Sequence, residues 1–480
     1  MRPSRPLPGQ LDNCELCGKR FTVTAYSKSG PHGGLLCSKC AKELEAEKKN
    51  EKPQKKVART RRRQTQSDLL DGIVRVGAKS LQDLCVEKVA AHVLEIEDLG
   101  DLPDNLLDRL SQILSKNRML DSSILNLFVK PYVESVALYD CAKLSVDDYK
   151  KIFAVAPKVK KLTLLNAGQF KNEIVDYIVE RRVPISELQI HAANLISDEK
   201  WATLLTSLGN NLISLKLAWL DHAFHDDNVK QLTVCCPNIR RLKFKQCFNL
   251  GEESLKAISN LWDLTHLTFA TKKPVSNDVL TNLLNKVGPK LQTLSLHEFS
   301  AADDSVLATV HEQCRHLYKF GFTGNGVFTD AGFTRLFSGW TNPSLHFVNL
   351  SSSRHVDAHL PGGPDEPVGL ASNGFKALFA HSGSRLEKVD ISSCRHISHH
   401  ALYEVFCGSV QYPFLEEMDL SFLTHLDTTI VAGIFQSCPK LRKLVIFGCF
   451  NVTSVKVPAR LALIGLPTAQ EPLVINGSWD

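Results

Sequence analysis

The chain is 480 residues long, 43% hydrophobic and 22% charged, with a formal net charge of +6. That hydrophobic content can bury a large core or several smaller ones and excludes a chain disordered throughout. Neither the opening Met1, Arg2, Pro3, Ser4, Arg5 nor any later run reaches the apolar length of a signal peptide or a membrane span, so a soluble, non-secreted protein without a membrane partner is expected.

In such a chain the fourteen cysteines are expected to be metal ligands and small buried side chains rather than disulfides. The first element, residues 1–47, carries Cys14-x-x-Cys17 and Cys37-x-x-Cys40, separated by the nineteen residues from Gly18 to Leu36. Each Cys-x-x-Cys turn lets two thiolates reach one ion, and two such turns complete a closed tetrahedral shell for Zn²⁺. The ion is expected to be structural, because so short a module buries too little to fold without it. His32 is the less favoured substitute ligand.

Residues 48–67 form the next segment. From Lys48 to Arg63 nine basic residues stand against Glu51 alone, a local +8 that leaves the remainder of the chain at −2. With Pro53, no aromatic residue and little to bury, this stretch reads as a flexible linker. Its densest cluster, Arg61, Arg62 and Arg63, suits nuclear import or a nucleic-acid contact.

Residues 68–130 read as helical. Ser80, Leu81, Cys85 and Val89 place one apolar stripe on a helix, with Leu84 beside it, and the pattern resembles the box by which substrate receptors bind elongin C. Shortly after comes Leu102, Pro103, Asp104, Asn105, Leu106, Leu107, Asp108, Arg109, Leu110, which resembles either a cullin-contacting box or the start of an F-box. The plainer reading of both is helices packed on the domain that follows.

From 131 to 451 an L-x-x-L-x-L pattern, with other large apolar residues allowed, begins at Val133, Val159, Ile185, Leu212, Ile239, Leu264, Leu291, Leu317, Leu345, Leu386, Leu415 and Leu441. Ten of the eleven intervals lie between 25 and 29 residues and one is 41. Some copies open with Cys-Pro, as at Cys236 and Cys438, and Cys141, Cys247, Cys394 and Cys449 recur at one repeat position. The pattern resembles the cysteine-containing leucine-rich-repeat class. It implies an α/β solenoid of about twelve repeats, each a short concave-face strand and a convex-face helix that bury their apolar sides only against the next unit. The four recurrent cysteines are then buried and structural. The long interval holds Arg354 to Gly369, rich in Pro and Gly, and reads as an inserted exposed loop. Residues 452–480 are expected to cap the last strand edge.

In each unit, the residues flanking the second and third apolar positions face solvent on the concave side. In the first eight units that rule selects Lys161, Lys216, Arg241, Lys243, Lys245 and Lys319 against Glu187, and in the last three Lys388, Asp390, Glu417, Asp419 and Lys443. The face is therefore expected to be basic around Arg241, Lys243 and Lys245, where an anionic partner would sit, and slightly acidic toward the C-terminus.

The order of these parts, and above all the segment CELCGKRFTVTAYSKSGPHGGLLCSKC, resembles the fungal Rad-seven family of nucleotide-excision-repair proteins over nearly the whole chain. The resemblance implies a nuclear protein that recognises damaged DNA or chromatin in untranscribed regions, with a Swi/Snf-type ATPase partner and an elongin-C and cullin ubiquitin ligase. A competing reading is an F-box-type receptor in cell-cycle control that does not touch DNA, although such receptors need neither the zinc module nor the basic linker. Enzyme activity has no support in the sequence: there is no Walker loop and no G-x-S-x-G, and His311, Glu312 and His316 are spaced one residue too far for a zinc-protease motif. His399 and His400 read as exposed loop residues.

Overall fold

The computed structural model describes residues 9–24, 26–50, 67, 68, 70, 80–352, 368–466 and 474–476. Arg61, Arg62 and Arg63, with most of the basic linker, lie outside the described residues, as does the loop 354–369 except Val368 and Gly369. The chain divides into two compact units, Met1–Asp71 and Gly72–Asp480.

In the first unit β1 (Leu11–Asn13) pairs antiparallel with β2 (Arg20–Thr22), and α1 (Ser38–Asn50) follows. The turn between the strands closes when the Gly18 N–H donates to the Cys14 carbonyl at 2.8 Å and the Cys14 N–H to that of Lys19 at 2.9 Å. Gly18 sits at φ +68°, where a side chain would be strained. α1 runs three residues into the stretch expected to be linker, because its Ala, Glu, Leu and Lys residues are all good helix formers.

The second unit opens with three helices, α2 (Leu81–Ala91), α3 (Asp104–Lys116) and α4 (Ser122–Phe128). Parallel strands then recur at the repeat period: β3 (Ser135–Leu138), β4 (Lys161–Leu164), β5 (Glu187–His191), β6 (Ser214–Leu220), β7 (Arg241–Cys247) and β8 (His266–Ala270). They continue as β9 (Thr293–His297), β10 (Lys319–Thr323), β11 (Phe347–Asn349), β12 (Lys388–Asp390), β13 (Glu417–Asp419) and β14 (Lys443–Val445). Each begins two residues after a repeat start, and all lie in sequence order in one sheet. The fold is thus an α/β leucine-rich-repeat solenoid with an N-terminal cysteine module.

Alternation sets the two faces of the sheet. In β7 Leu242, Phe244 and Cys247 are buried while Arg241, Lys243 and Lys245 stay accessible. The seventh residue after most repeat starts has a left-handed backbone: Asn166, Ala192, Trp219, Gln246, Glu298, Gly324, Ser352, Ser393, Phe422 and Gly448. That turn sends the next side chain inward, which places Cys247, Cys394 and Cys449 in the core. The thiols of Cys247, Cys394 and Cys449 donate to the carbonyls of Leu217, Leu350 and Leu420 of the preceding repeat. Burial pushes the Cys141 and Cys247 thiols up to about 12 and that of Cys449 to about 11, so these three pack as neutral side chains.

Two further ladders hold the repeats in register. Most repeat helices carry a first-turn acceptor for the start of the next: Asp226 accepts from the backbone N–H groups of Gly251 and Ser254, Asn277 from Asp303, and Asp304 from Thr329. Across the long interval Asp330 accepts from the N–H groups of Ala371, Asn373 and Gly374 at 3.0, 3.0 and 2.8 Å, so the insertion does not interrupt the stack. Inside, ring contacts run from Trp201 through Phe224, Phe244, Phe269, Phe299 and Phe322 to Phe328, with centroids 4.5 to 6.2 Å apart.

One reading needs correction, and the sheet extends past the repeats. His399 and His400 are not loop residues: they form the exposed first turn of the helix His399–Phe406, where the Ser398 hydroxyl accepts from the Ala401 N–H. The sheet also outruns twelve strands, because Ala462–Ile464 (β15) adds in parallel to β14 and Val474–Asn476 (β16) pairs antiparallel at the end. The period misses β15 because an extended segment, shorter than the usual helix, leads into it.

Candidate metal centre and adaptor groove

Cys14 closes β1, Cys17 lies on the turn, Cys37 precedes α1 and Cys40 sits in its first turn. Their four sulfurs lie within 4.8 Å of one another, with Cys17 and Cys37 Sγ 3.8 Å apart. Cys14, Leu36 and Cys40 form a small buried cluster against Phe21 and Leu44. The Cys37 backbone N–H holds the Cys14 thiol down at about 6, whereas the hydrogen bond with Cys17 raises that of Cys40 to about 12. Four thiols this close cannot all ionise unless a cation sits among them, and four soft donors at this separation fit a closed tetrahedral Zn²⁺ shell. His32 is exposed and outside the group, and its N–H donates to Glu15 Oε1 at 2.8 Å. A Cβ at Gly30 would come within 2.5 Å of Glu15 Oε2, so the small residues of this loop leave room for that carboxylate.

The second candidate site lies on α2 and α3. Ser80 caps α2 by accepting the Asp83 N–H at 3.1 Å, and an ion pair between Arg109 and Asp83 ties the two helices together. Between them runs an apolar groove of about 370 Å³ lined by Leu81, Cys85, Val89, Leu102 and Leu106, with Val86 and Leu110 as its floor. Leu81 is 78% exposed and Leu84 46%, beside the apolar lining of the groove. Pro103 does not line the groove; it is exposed and precedes the first residue of α3. The opposite side of α3 packs on the repeats: the buried Ser111 hydroxyl donates to the Ala137 carbonyl of β3 at 2.6 Å, and Tyr139 donates to Asp108. The helical segment therefore covers the first strand and still leaves one apolar stripe open.

The third is the open face of the sheet. Register places Lys216 opposite Lys243, Ala218 opposite Lys245 and Arg241 opposite His266. Among the described residues, Lys216, Arg241, Lys243, Lys245 and Lys319 have no ion-pair partner, whereas Lys161 pairs with Glu187 at 3.0 Å and Lys388 with Glu417 at 2.6 Å. Burial, and then the neighbouring lysines, lowers the pKa of both Lys243 and Lys245. Burial and the nearby cations hold His266 and His297 down at about 4. The concave-face rule found the cations but not these histidines, although the same positional rule selects both.

Comparison with known proteins bears on the cysteine module and on the fold of the repeats. A family model described as the DNA repair protein rhp7 treble clef domain matches residues 8–46. DNA repair protein rhp7 of Schizosaccharomyces pombe is 28% identical over 468 residues, covering 96% of this chain and 79% of its own length. DNA repair protein RAD7 of Saccharomyces cerevisiae is 24% identical over 442 residues, covering 85% and 73%. The chain is similar over most of its length to these fungal DNA repair proteins. A crystal structure of a Rad7 and Elc1 complex in yeast superposes with a TM-score of 0.67 at 21% identity, covering 81% of this chain and 98% of that one, and so shares the fold. The cysteine module is the treble clef of the rhp7 kind, a hairpin knuckle and a helix start that together hold structural zinc.

Proposed function

We propose that this chain is the receptor subunit of an elongin-C and cullin ubiquitin ligase acting in nuclear, global-genome nucleotide excision repair. The observation that carries the reading is the open groove of Leu81, Cys85, Val89 and Leu102 beside a solenoid like that of a Rad7 determined in complex with Elc1, an elongin C. An amphipathic stripe with protruding leucines is what a partner needs in order to bury apolar surface, at about 25 cal/mol for each Å² removed from water. The rhp7 and RAD7 homologues supply the repair assignment, and a Swi/Snf-type ATPase is the partner expected for access to chromatin. Cys14, Cys17, Cys37 and Cys40 are the zinc ligands in this reading. The ion would order the module and perform no chemistry.

Replacing Leu81 and Cys85 together with Glu is expected to abolish capture of elongin C while leaving the circular dichroism of the repeats unchanged, and undiminished capture overturns the adaptor assignment. Co-purification from nuclear extract with mass spectrometry checks the cullin and the ATPase. Metal analysis is expected to find one zinc per chain, lost when Cys14 and Cys37 are both replaced by Ser.

A further inference from the structure

The cations of the open sheet face stand in an arrangement that folding alone does not favour. Lys216 and Lys243 are directly opposite on adjacent strands, about 4.8 Å apart in the hydrogen-bonding direction, and like charges so placed repel. Lys245 and Lys319 add to the same field, and Arg241 lies on the neighbouring row. Other cations of this face are neutralised from within the chain, as Lys161 and Lys388 show. His297 contributes a different group. Its Nδ1 meets Thr323 Oγ1 at 2.7 Å, while its Nε2 is buried with no hydrogen-bond partner among the described residues. With its Nε2 buried, this neutral imidazole offers no exposed donor to a ligand and adds no charge to the face.

The surroundings decide what sort of anion fits. Strands β6 to β10 are each paired on both sides, so no edge is open for a peptide to add as a strand. The other positions on this face are small, Ser214, Ala218, Thr268, Ala270, Thr293, Ser295, Gly321 and Thr323, and they form no apolar pockets for peptide side chains. Hydroxyls, lysines and an arginine are phosphate donors. Aromatic rings flank the cations at both ends of the strands. At one end His266, Tyr318 and Phe347 stand edge to face, with centroids 6.3 Å apart at each step. At the other, Trp219 is 54% exposed at φ +60°, a conformation costly for so bulky a residue, one position beyond the Ala218–Lys245 pair. Cations between stacking surfaces are the pattern by which proteins hold single strands.

We propose that the open face of β6 to β10 is a binding site for single-stranded nucleic acid, with Lys216, Arg241, Lys243, Lys245 and Lys319 on the phosphodiester backbone and Trp219 stacking a base. The site rests on the receptor reading above and deepens it, because it gives the receptor a means of recognising an opened strand rather than an intact duplex.

The test uses the full chain bound to elongin C, with the nine basic residues from Lys48 to Arg63 replaced by Gln so that the linker carries no positive charge. Fluorescence anisotropy with a labelled oligothymidylate is expected to show salt-dependent binding. Neutralising Lys243, Lys245 and Lys319 to Gln should weaken it at least tenfold and flatten the log–log salt slope by about 2, since each phosphate contact on a single strand releases about 0.7 counterion. Trp219→Ala should weaken oligothymidylate about tenfold and leave the salt slope unchanged. Elongin-C capture should persist in every variant, which separates failure of this site from failure of the receptor reading. Absence of strand binding by the parent, an unchanged affinity and slope in the triple variant, or loss of binding to an acidic peptide rather than to the strand overturns the proposal.

Discussion

The open sheet face has two halves built on one repeat and treated differently by charge. From β6 to β10 five cations stand without ion-pair partners among the described residues, above the aromatic stack of Phe224, Phe244 and Phe269. From β11 to β14 the face neutralises itself. Lys388 pairs with Glu417, and Asp390 accepts from Asn349 Nδ2 and from the Ser392 backbone and hydroxyl, while Asp419 accepts from the Ser421 N–H. The second half therefore looks like a surface optimised for folding, and the first like one held ready for a ligand, since proteins retain locally unfavourable groups chiefly where they serve a function.

The seam between the halves gives the largest expected effect. Asp330 receives three backbone N–H groups from 371–374 and spans the one long interval in the repeat series. Replacing it with Ala leaves those donors buried and unmatched, at a cost of about 3 kcal/mol. The denaturant midpoint should fall accordingly, and the transition should split in two if the halves are separate cooperative units. A single transition with an unchanged midpoint would mean that the halves are joined through the sheet alone.

Much of the repeat architecture could be read from the sequence, because burial imposes a period that the side chains must repeat. Every strand from β3 to β14 starts two residues after an L-x-x-L-x-L start, and Cys141, Cys247, Cys394 and Cys449 are buried, as their common position implied. The four clustered thiols were legible too, since Cys-x-x-Cys spacing fixes the reach of the side chains. The unseen parts lack a periodic signal. β15 follows a shortened repeat, and the turn of His399 and His400 has a helix cap in Ser398 rather than a loop signature. Which lysines are neutralised could not be read from residue types, because pairing depends on what lies across the strand: Glu187 opposite Lys161, but Lys243 opposite Lys216. The groove of Leu81 and Cys85 was visible as a stripe, but its opening to solvent depends on how α2 sits against α3.

Acid should separate the halves by sign. His266 and His297 titrate at about 4 when folded, below the ordinary 6.5, so protonation favours the unfolded chain. Their contribution to stability is complete above about pH 6.5 and is lost as the pH falls through 4. Burial raises the pKa of Asp390, so its contribution is present at low pH and is lost as the pH rises through its folded value. Denaturant midpoints between pH 7 and 4 should therefore fall less steeply in a His266→Gln, His297→Gln variant than in the parent, whereas Asp390→Asn should make the fall steeper. Parallel curves for all three proteins would remove the histidines from the account.

The smallest expected effect bears most directly on the contrast. Lys243 is partly desolvated and stands opposite Lys216, so replacing it with Met removes a repulsion and keeps the length of the side chain against the sheet. The folded state should gain up to about 1 kcal/mol, a like-charge cross-strand pair being worth about that much. The same change at Lys388 deletes an attractive contact to Glu417, and because both groups are substantially exposed the loss should be only about 0.5 kcal/mol. Two lysines on equivalent faces of one solenoid are thus expected to respond to the same substitution with opposite signs, a difference readable as a shift in denaturant midpoint. Raising the salt concentration should shrink both effects, because screening weakens repulsion and attraction alike. If Lys243→Met destabilises the fold as Lys388→Met does, the first half is held together by its lysines and is not poised for an anion.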